Sequence, residues 1–357
     1  MKALFRSPWT RAALGLVFMA VVGLLLFYRG PSLHGIGSAF SAVKWQWIVV
    51  AIGLNLCSVV VRALAWTTVI RQAMPPPYPG PLTVFSAFSV GLFANAVLPG
   101  RIGELARVGV LSRKLPRRRG YWASLVGTVF AHRVFDLVPV LLLIGYVVLT
   151  AKVPAAASAV LLAVVGIGAA LFTFAFFGAR VHHAPTRLEG LSVMRRVVTM
   201  ARQGLGVMRT PLGFAVAVGF QIAGWTCQLF AVYTAMRAFD IHSPLPAAGV
   251  VLLVMNVVTL FPFWPGNVGA LQLAIAAPLR ASYGVATAVG VAYGFGLQAI
   301  EASGGGGVGL IFLAREGLSF AMLRVMPSAA QAEMERGDGG EENPEADVAP
   351  ERAGVPG

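Results

Sequence analysis

Two octapeptides of this chain, 166 residues apart, carry the same break inside apolar sequence. They are Leu98-Pro99-Gly100-Arg101-Ile102-Gly103-Glu104-Leu105 and Trp264-Pro265-Gly266-Asn267-Val268-Gly269-Ala270-Leu271. Proline lacks the N–H an α-helix needs and clashes with the preceding turn, so a helix does not run straight through either site. Apolar runs at 82–98 and 101–112 flank the first break, and runs at 246–262 and 267–280 flank the second. At about 1.5 Å per residue such runs reach only roughly 16–26 Å, short of the ~30 Å hydrocarbon core. Each pair therefore predicts a re-entrant helical hairpin that enters and leaves on one side. Irregular backbone at that depth is tolerated only where it is buried in protein or lines a cavity. Matching breaks in two halves of a membrane protein point to a midplane binding site.

The membrane itself follows from composition. The chain is 57% hydrophobic and only 12% charged, against roughly 25% charged in soluble domains. Runs long enough to span lie at about 11–28, 47–70, 121–149, 155–179, 212–236 and 285–314. Lys2, Arg6 and Arg11 precede the first of these. That run is long for a signal peptide and no small-residue cleavage site follows it, so it reads as a retained span.

The net charge of +14 sets the orientation. With the N-terminus inside and both hairpins re-entrant, 19 basic residues fall on the cytoplasmic side and five outside. Were 82–98 a span, Arg113, Lys114, Arg117, Arg118 and Arg119 would land outside, against the positive-inside rule. Because the basic residues sit at the ends of apolar segments, nucleic-acid binding is not expected.

The fold expected is thus an all-α polytopic membrane protein of about six spanning helices and two re-entrant hairpins. Residues 1–150 form a first repeat with its hairpin at 82–112. Residues 151–316 form a second with its hairpin at 246–280. Each holds an odd number of spans, so the second is inverted. Residues 180–211 read as a basic connector, part of it an amphipathic surface helix. Residues 317–357 read as a cytoplasmic tail, mostly disordered, with eight acidic residues in 333–357. Both termini are expected in the cytoplasm.

Charges within a membrane are rare and mark candidate sites. Arg101, Glu104 and Arg107 open the helix after the first break. A guanidinium beside the positive end of a helix suits a phosphate or other anionic headgroup; the plainer reading is a salt-bridged helix start. In the second hairpin Asn267 replaces Arg101, where it can cap its own helix, and Gly100 and Gly266 mark the two tips. Asn95 and Asn256, one in the first arm of each hairpin, can bind backbone freed at the breaks. Arg62 either snorkels or reaches the cavity. His132, Arg133 and Asp136 can pair on one helix face, and the corresponding span carries Gln298 and Glu301. These five read as a structural ion pair or as a proton relay through His132, Asp136 and Glu301. Glu301 has no evident local partner. The run Gly304–Gly307 permits close helix approach.

Enzymatic chemistry finds no support. The histidines (34, 132, 182, 183 and 242) are scattered, and no HExxH, GxSxG or P-loop occurs. No metal set at usable spacing and no cofactor motif appears. Cys57 and Cys227 read as small buried hydrophobes.

The segment Ala94-Asn95-Ala96-Val97-Leu98-Pro99-Gly100-Arg101-Ile102-Gly103-Glu104-Leu105-Ala106-Arg107, followed by Leu111-Ser112-Arg113, resembles the signature of the flippase-like membrane domain of lysyl-phosphatidylglycerol synthases. Arg62-Ala63-Leu64-Ala65-Trp66, Arg133-Val134-Phe135-Asp136 and Pro265-Gly266-Asn267-Val268-Gly269 are similar to its weaker landmarks. The resemblance covers roughly residues 10–315 and extends to stand-alone members without a transferase. It implies a bacterial inner-membrane lipid transporter for an anionic, polyprenyl-linked or terpenoid (hopanoid-type) lipid. By motif, Asn95, Pro99, Arg101, Gly103, Glu104, Arg107, Arg62, Arg133 and Asp136 carry over. The chain departs from the family pattern in having no aminoacyl-transfer domain after residue 315, so lysine transfer is not implied. It also has Gln298 and Glu301 where many relatives look to have a basic residue. A membrane lipid is the partner expected. Two rival readings are a non-transporting partner of a lipid-biosynthesis enzyme and a membrane-embedded lipid-modifying transferase. The oligomeric state is not legible.

Overall fold

The computed structural model describes residues 32–98, 102–115, 121–152, 155–180, 210–260 and 267–318. The expected span at 11–28, most of the basic connector, the acidic tail and both Pro-Gly tips lie outside the described residues. The described chain is helical: α1 (Leu33–Ser41), α2 (Trp45–Ala73), α3 (Pro81–Val97), α4 (Gly103–Ser112), α5 (Tyr121–Thr150), α6 (Ala155–Arg180), α7 (Pro211–Ala238), α8 (Leu245–Leu260), α9 (Ala270–Tyr283) and α10 (Thr287–Ala302). A π-helical stretch (Ser303–Val308) joins α10 to α11 (Gly309–Arg315).

Local chemistry sets these boundaries. Ser32 caps α1, its Oγ accepting from Gly35 N–H at 3.2 Å. α2 stops at Met74 because three prolines follow. Pro81 and Pro211 stand at the first positions of α3 and α7, where a missing N–H costs nothing. Gly284, at φ 69°, closes α9 in the left-handed conformation that favours glycine.

Four helical stretches are long and apolar enough to cross a bilayer: Trp45–Ala73, Ser124–Thr150, Pro211–Ala238 and Thr287–Arg315. The last is not a continuous α-helix, since the glycine run widens into the π-helical stretch at its middle. α6 extends over 26 residues. Helices α3 and α4, and α8 and α9, match the apolar runs expected on either side of the two breaks to within a few residues. α1 was not anticipated.

α2 and α7 pack against each other in antiparallel fashion. Lys44 N–H donates to Ala238 O at 2.9 Å at one end, and Thr210 Oγ1 lies 3.3 Å from Gln72 Oε1 at the other. Midway, Cys57 Sγ and Cys227 Sγ are 3.8 Å apart. They are exposed and half-buried respectively, not interior as the sequence reading had them, because this seam opens onto the outer face of the bundle.

Two apolar cores lie toward opposite ends of this pair. One gathers Trp66, Phe88, Leu111, Leu125 and Phe135 around the first hairpin. The other gathers Met236, Leu252, Met255, Ile275, Leu279 and Tyr293 around the second. The first hairpin closes tightly because Gly91 and Gly103 face each other. A Cβ on Gly103 would run into Gly91 O and into the Asn95 carboxamide, 2.6 Å away. The anticipated close approach at the glycine run is strongest just past it, where a Cβ on Gly309 would lie 2.5 Å from Ser89 O.

Candidate functional site

Polar side chains collect where the two cores meet. A cavity of about 400 Å³ is lined by Asn55, Ser58 and Arg62 of α2, Asn95 of α3, Gln228 of α7, Asn267 before α9, and Gln298 and Glu301 of α10. A second cavity of about 140 Å³ adjoins it and shares Arg62 and Asn95, adding Glu104, Arg107, His132 and Arg133. Residues flanking both helix breaks therefore face the middle of α2.

The charged groups form one chain of ion pairs. Asp136 sits at its centre, accepting from Arg62 Nη2 at 3.3 Å, from Arg133 Nη1 at 3.3 Å and from Trp225 Nε1 at 3.1 Å. Arg133 also pairs with Glu104, and Glu104 with Arg107 at 2.5 Å. Arg107 is only 3% exposed; its guanidinium stands 4.8 Å from the centre of the Trp66 ring and 5.6 Å from that of Phe88. Arg62 lies over Trp225 at 5.8 Å. Arg62 lines both cavities, and its buried Nε has no hydrogen-bond partner among the described residues. The five groups count three arginines and two acids, a surplus of one positive charge among them. The Arg133 side chain is 40% exposed, whereas those of Arg62 and Arg107 are buried more deeply, where charge is costly.

The second half contributes amides. Gln272 accepts from Gly269 N–H at 2.6 Å and donates to Gln298 Oε1 at 2.7 Å. Gln228 Nε2 donates to Glu301 Oε1 at 3.4 Å. Asn55 Nδ2 donates to Ile300 O at 2.9 Å and Ser303 Oγ to the same carbonyl at 2.6 Å, beside the π-helical turn. Turns of this kind are frequent at functional sites.

Several sequence expectations change here. Asn267 does not cap its own helix. It sits at φ 46° and donates through Nδ2 to Val258 O at 2.9 Å, tying the break back to α8, while Gly269 begins α9. Asn95 does bind freed backbone as expected: its Oδ1 accepts from Gly103 N–H at 2.8 Å and holds the helix start. Asn256 donates to Leu252 O in its own helix at 2.8 Å, not to freed backbone. Glu301 finds its partner on another helix, in Gln228, 73 residues away. His132, Asp136 and Glu301 are not hydrogen-bonded to one another: the His132 ring and carbonyl meet Gln221, Asp136 accepts from Trp225 and Glu301 from Gln228. Arg101, Gly100 and Gly266 lie outside the described residues. Sequence reasoning passed over Asn55, Gln221, Trp225, Gln228 and Gln272. The rule that flagged charges in apolar spans applies to carboxamides as well, and it would have found four of these five.

Among the described residues no three metal-ligating side chains come together. A family model described as the lysylphosphatidylglycerol synthase TM region matches residues 12–303. No curated protein and no solved structure matches the chain.

Proposed function

The chain belongs to the family of lysylphosphatidylglycerol synthase transmembrane regions, and from that premise we propose that it is a lipid transporter binding an anionic headgroup between its two halves. The observation that carries this reading is the pair of adjoining cavities. They are lined from both halves and bordered by an ion-pair chain with one arginine in excess. A volume of about 400 Å³ lies in the range of small-ligand sites, which runs from ~300 to 1,000 Å³. It suits a headgroup, with the acyl or prenyl chains left in the bilayer. Arg62, with a buried donor unpaired, is the principal headgroup ligand; Arg101, which follows the first break in the sequence and lies outside the described residues, is a second candidate. Glu104 and Arg107 hold Arg133 and the wall behind it.

The proposed architecture is the inverted repeat. It is supported by the recurrence of helix starts: Trp45, Pro81, Gly103 and Tyr121 against Pro211, Leu245, Ala270 and Thr287, displaced by 166, 164, 167 and 166 residues. The corresponding helices α2 and α7 are antiparallel, as an inverted pair requires. Within this reading α3–α4 and α8–α9 are re-entrant hairpins, six helices span, and both termini face the cytoplasm of a bacterial inner membrane. The hairpins rock to open the cavity to alternate sides, and no covalent chemistry is involved.

Native mass spectrometry of protein purified in mild detergent, with extraction of bound lipid, tests the reading. The expected result is one enriched anionic lipid, lost in Arg62→Ala and weakened in Arg101→Ala. A bound lipid indifferent to Arg62 overturns the headgroup site.

A further inference from the structure

We propose that Glu301 is a proton-binding site that makes the cavity take up an anionic headgroup and a proton together. The inference rests on the headgroup reading above and adds the coupling ion to it.

The reasoning is a charge balance. Arg62, Arg107 and Arg133 against Glu104 and Asp136 leave one positive charge. Among the described residues Glu301 is the remaining acid of the larger cavity, which it lines together with Arg62. Its hydrogen bond is a long one, 3.4 Å from a neutral carboxamide, and it makes no ion pair among the described residues. When ionised, it brings the described site to neutrality. When a monoanionic headgroup arrives beside Arg62, the headgroup supplies that negative charge instead. A second anion in the same low-dielectric cavity is then unfavourable, and Glu301 takes a proton from water. Headgroup and proton therefore bind cooperatively, each raising the affinity for the other. One proton accompanies each unit of negative charge admitted, so a proton gradient can drive the cycle.

The surroundings leave Glu301 free for this role. Among the described charged groups on elements packed against α10, Arg62 alone shares its cavity. Lys44 and Arg71 lie toward the ends of α2. Arg237 of α7 is bonded to Tyr233, and Arg280 of α9 to Thr287. His34 of α1 belongs to the turn beside Ala288, at the start of α10. Asp136 is engaged by two arginines and an indole, and His132 faces Gln221 and Phe88.

The experiment is proton uptake on lipid binding. Full-length protein in a weakly buffered, neutral-detergent solution with a pH-sensitive dye is titrated with short-chain phosphatidylglycerol, and with phosphatidylcholine as a zwitterionic control. Wild type should take up about one proton per phosphatidylglycerol bound and none with phosphatidylcholine. Its affinity should fall about tenfold per pH unit once Glu301 ionises in the empty site. Glu301→Gln should abolish both the uptake and the pH dependence. Glu301→Asp, which keeps an ionisable carboxyl, should retain both and serves if the amide variant fails to fold. Binding without uptake in wild type, or uptake unchanged in Glu301→Gln, overturns the proton site while leaving the headgroup site standing. No binding of phosphatidylglycerol at any pH overturns both.

Discussion

The two halves of the molecule use similar helices for different chemistry. At the displacement of 166 residues, Arg62, Glu104, Arg107, Arg133 and Asp136 correspond to Gln228, Ala270, Leu273, Ala299 and Ala302. In the other direction Gln272, Gln298 and Glu301 correspond to Ala106, His132 and Phe135. Even the shared feature is built differently. Gly103 and Gly269 open equivalent helices, and each N–H is held by a carboxamide. Asn95 reaches it from the preceding arm in the first half, and Gln272 from the following helix in the second. The backbone frame tolerates such divergence because it depends on apolar packing and helix breaks. Electrostatics has less freedom: charges that pair directly must lie close together, so the ion-pair chain resides in one half and leaves one positive charge that shares its cavity with Glu301 of the other. The resulting cavity has a cationic wall facing an amide wall that carries a single acid.

The largest expected effect tests that asymmetry. Asp136→Ala leaves Arg62 and Arg133 without their shared anion and Trp225 Nε1 without its acceptor, and should cost about 3–5 kcal/mol. Glu301→Gln keeps a side chain able to accept from Gln228 and should cost about 1 kcal/mol or less. Thermal unfolding of the purified variants in the same detergent measures both. Equal losses would mean that the acid of the second half is as much a structural anchor as Asp136, and the contrast between the walls would fail.

An intermediate effect concerns the helix starts. Asn95→Ala leaves Gly103 N–H unpaired in a buried site, at a cost of about 1–3 kcal/mol. Gln272→Ala does the same to Gly269 and also removes the donor to Gln298, so its loss should be the greater. If Asn95→Ala is neutral, a water molecule replaces the carboxamide, and the first break is wetter than the second.

What the sequence disclosed of all this divides along physical lines. The Pro-Gly breaks and the apolar runs are local signals, and they disclosed the helices on either side of each break and the four long enough to span. Arg133 with Asp136, and Glu104 with Arg107, are three apart on one helix, so those pairs were legible too. The partners between helices were not. Arg62 and Asp136 are 74 residues apart, Trp225 and Asp136 are 89 apart, and nothing in either segment announces the other. Asn267 misled because asparagine both caps helices and tolerates φ > 0, and only the fold decides between these uses. The π-helical turn arises where four glycines in succession weaken the helix, a run that sequence reasoning took for close packing.

The smallest expected effect lies at the ends of the α2–α7 pair, where the asymmetry recurs outside the membrane-spanning segments. Lys44 Nζ is 2.6 Å from Asp240 at one end, and the neutral Gln72 and Thr210 meet at the other. The hydrogen bond from Lys44, and then its charge, holds the Asp240 carboxyl below the usual carboxylate value. A carboxyl lowered in the folded state stabilises that state above its unfolded pKa, and the contribution disappears as pH falls through the lowered folded value. Acidification below about pH 4 should therefore loosen the Lys44–Asp240 end and leave the Gln72–Thr210 end as it was. Amide hydrogen exchange resolved along α2 and α7 reads the two ends separately. Asp240→Asn should abolish the pH difference, and raised salt should blunt it, since the pair is exposed to solvent. If both ends loosen together on acidification, α2 and α7 respond as one rigid pair, and the acid sensitivity arises from the buried carboxylates instead.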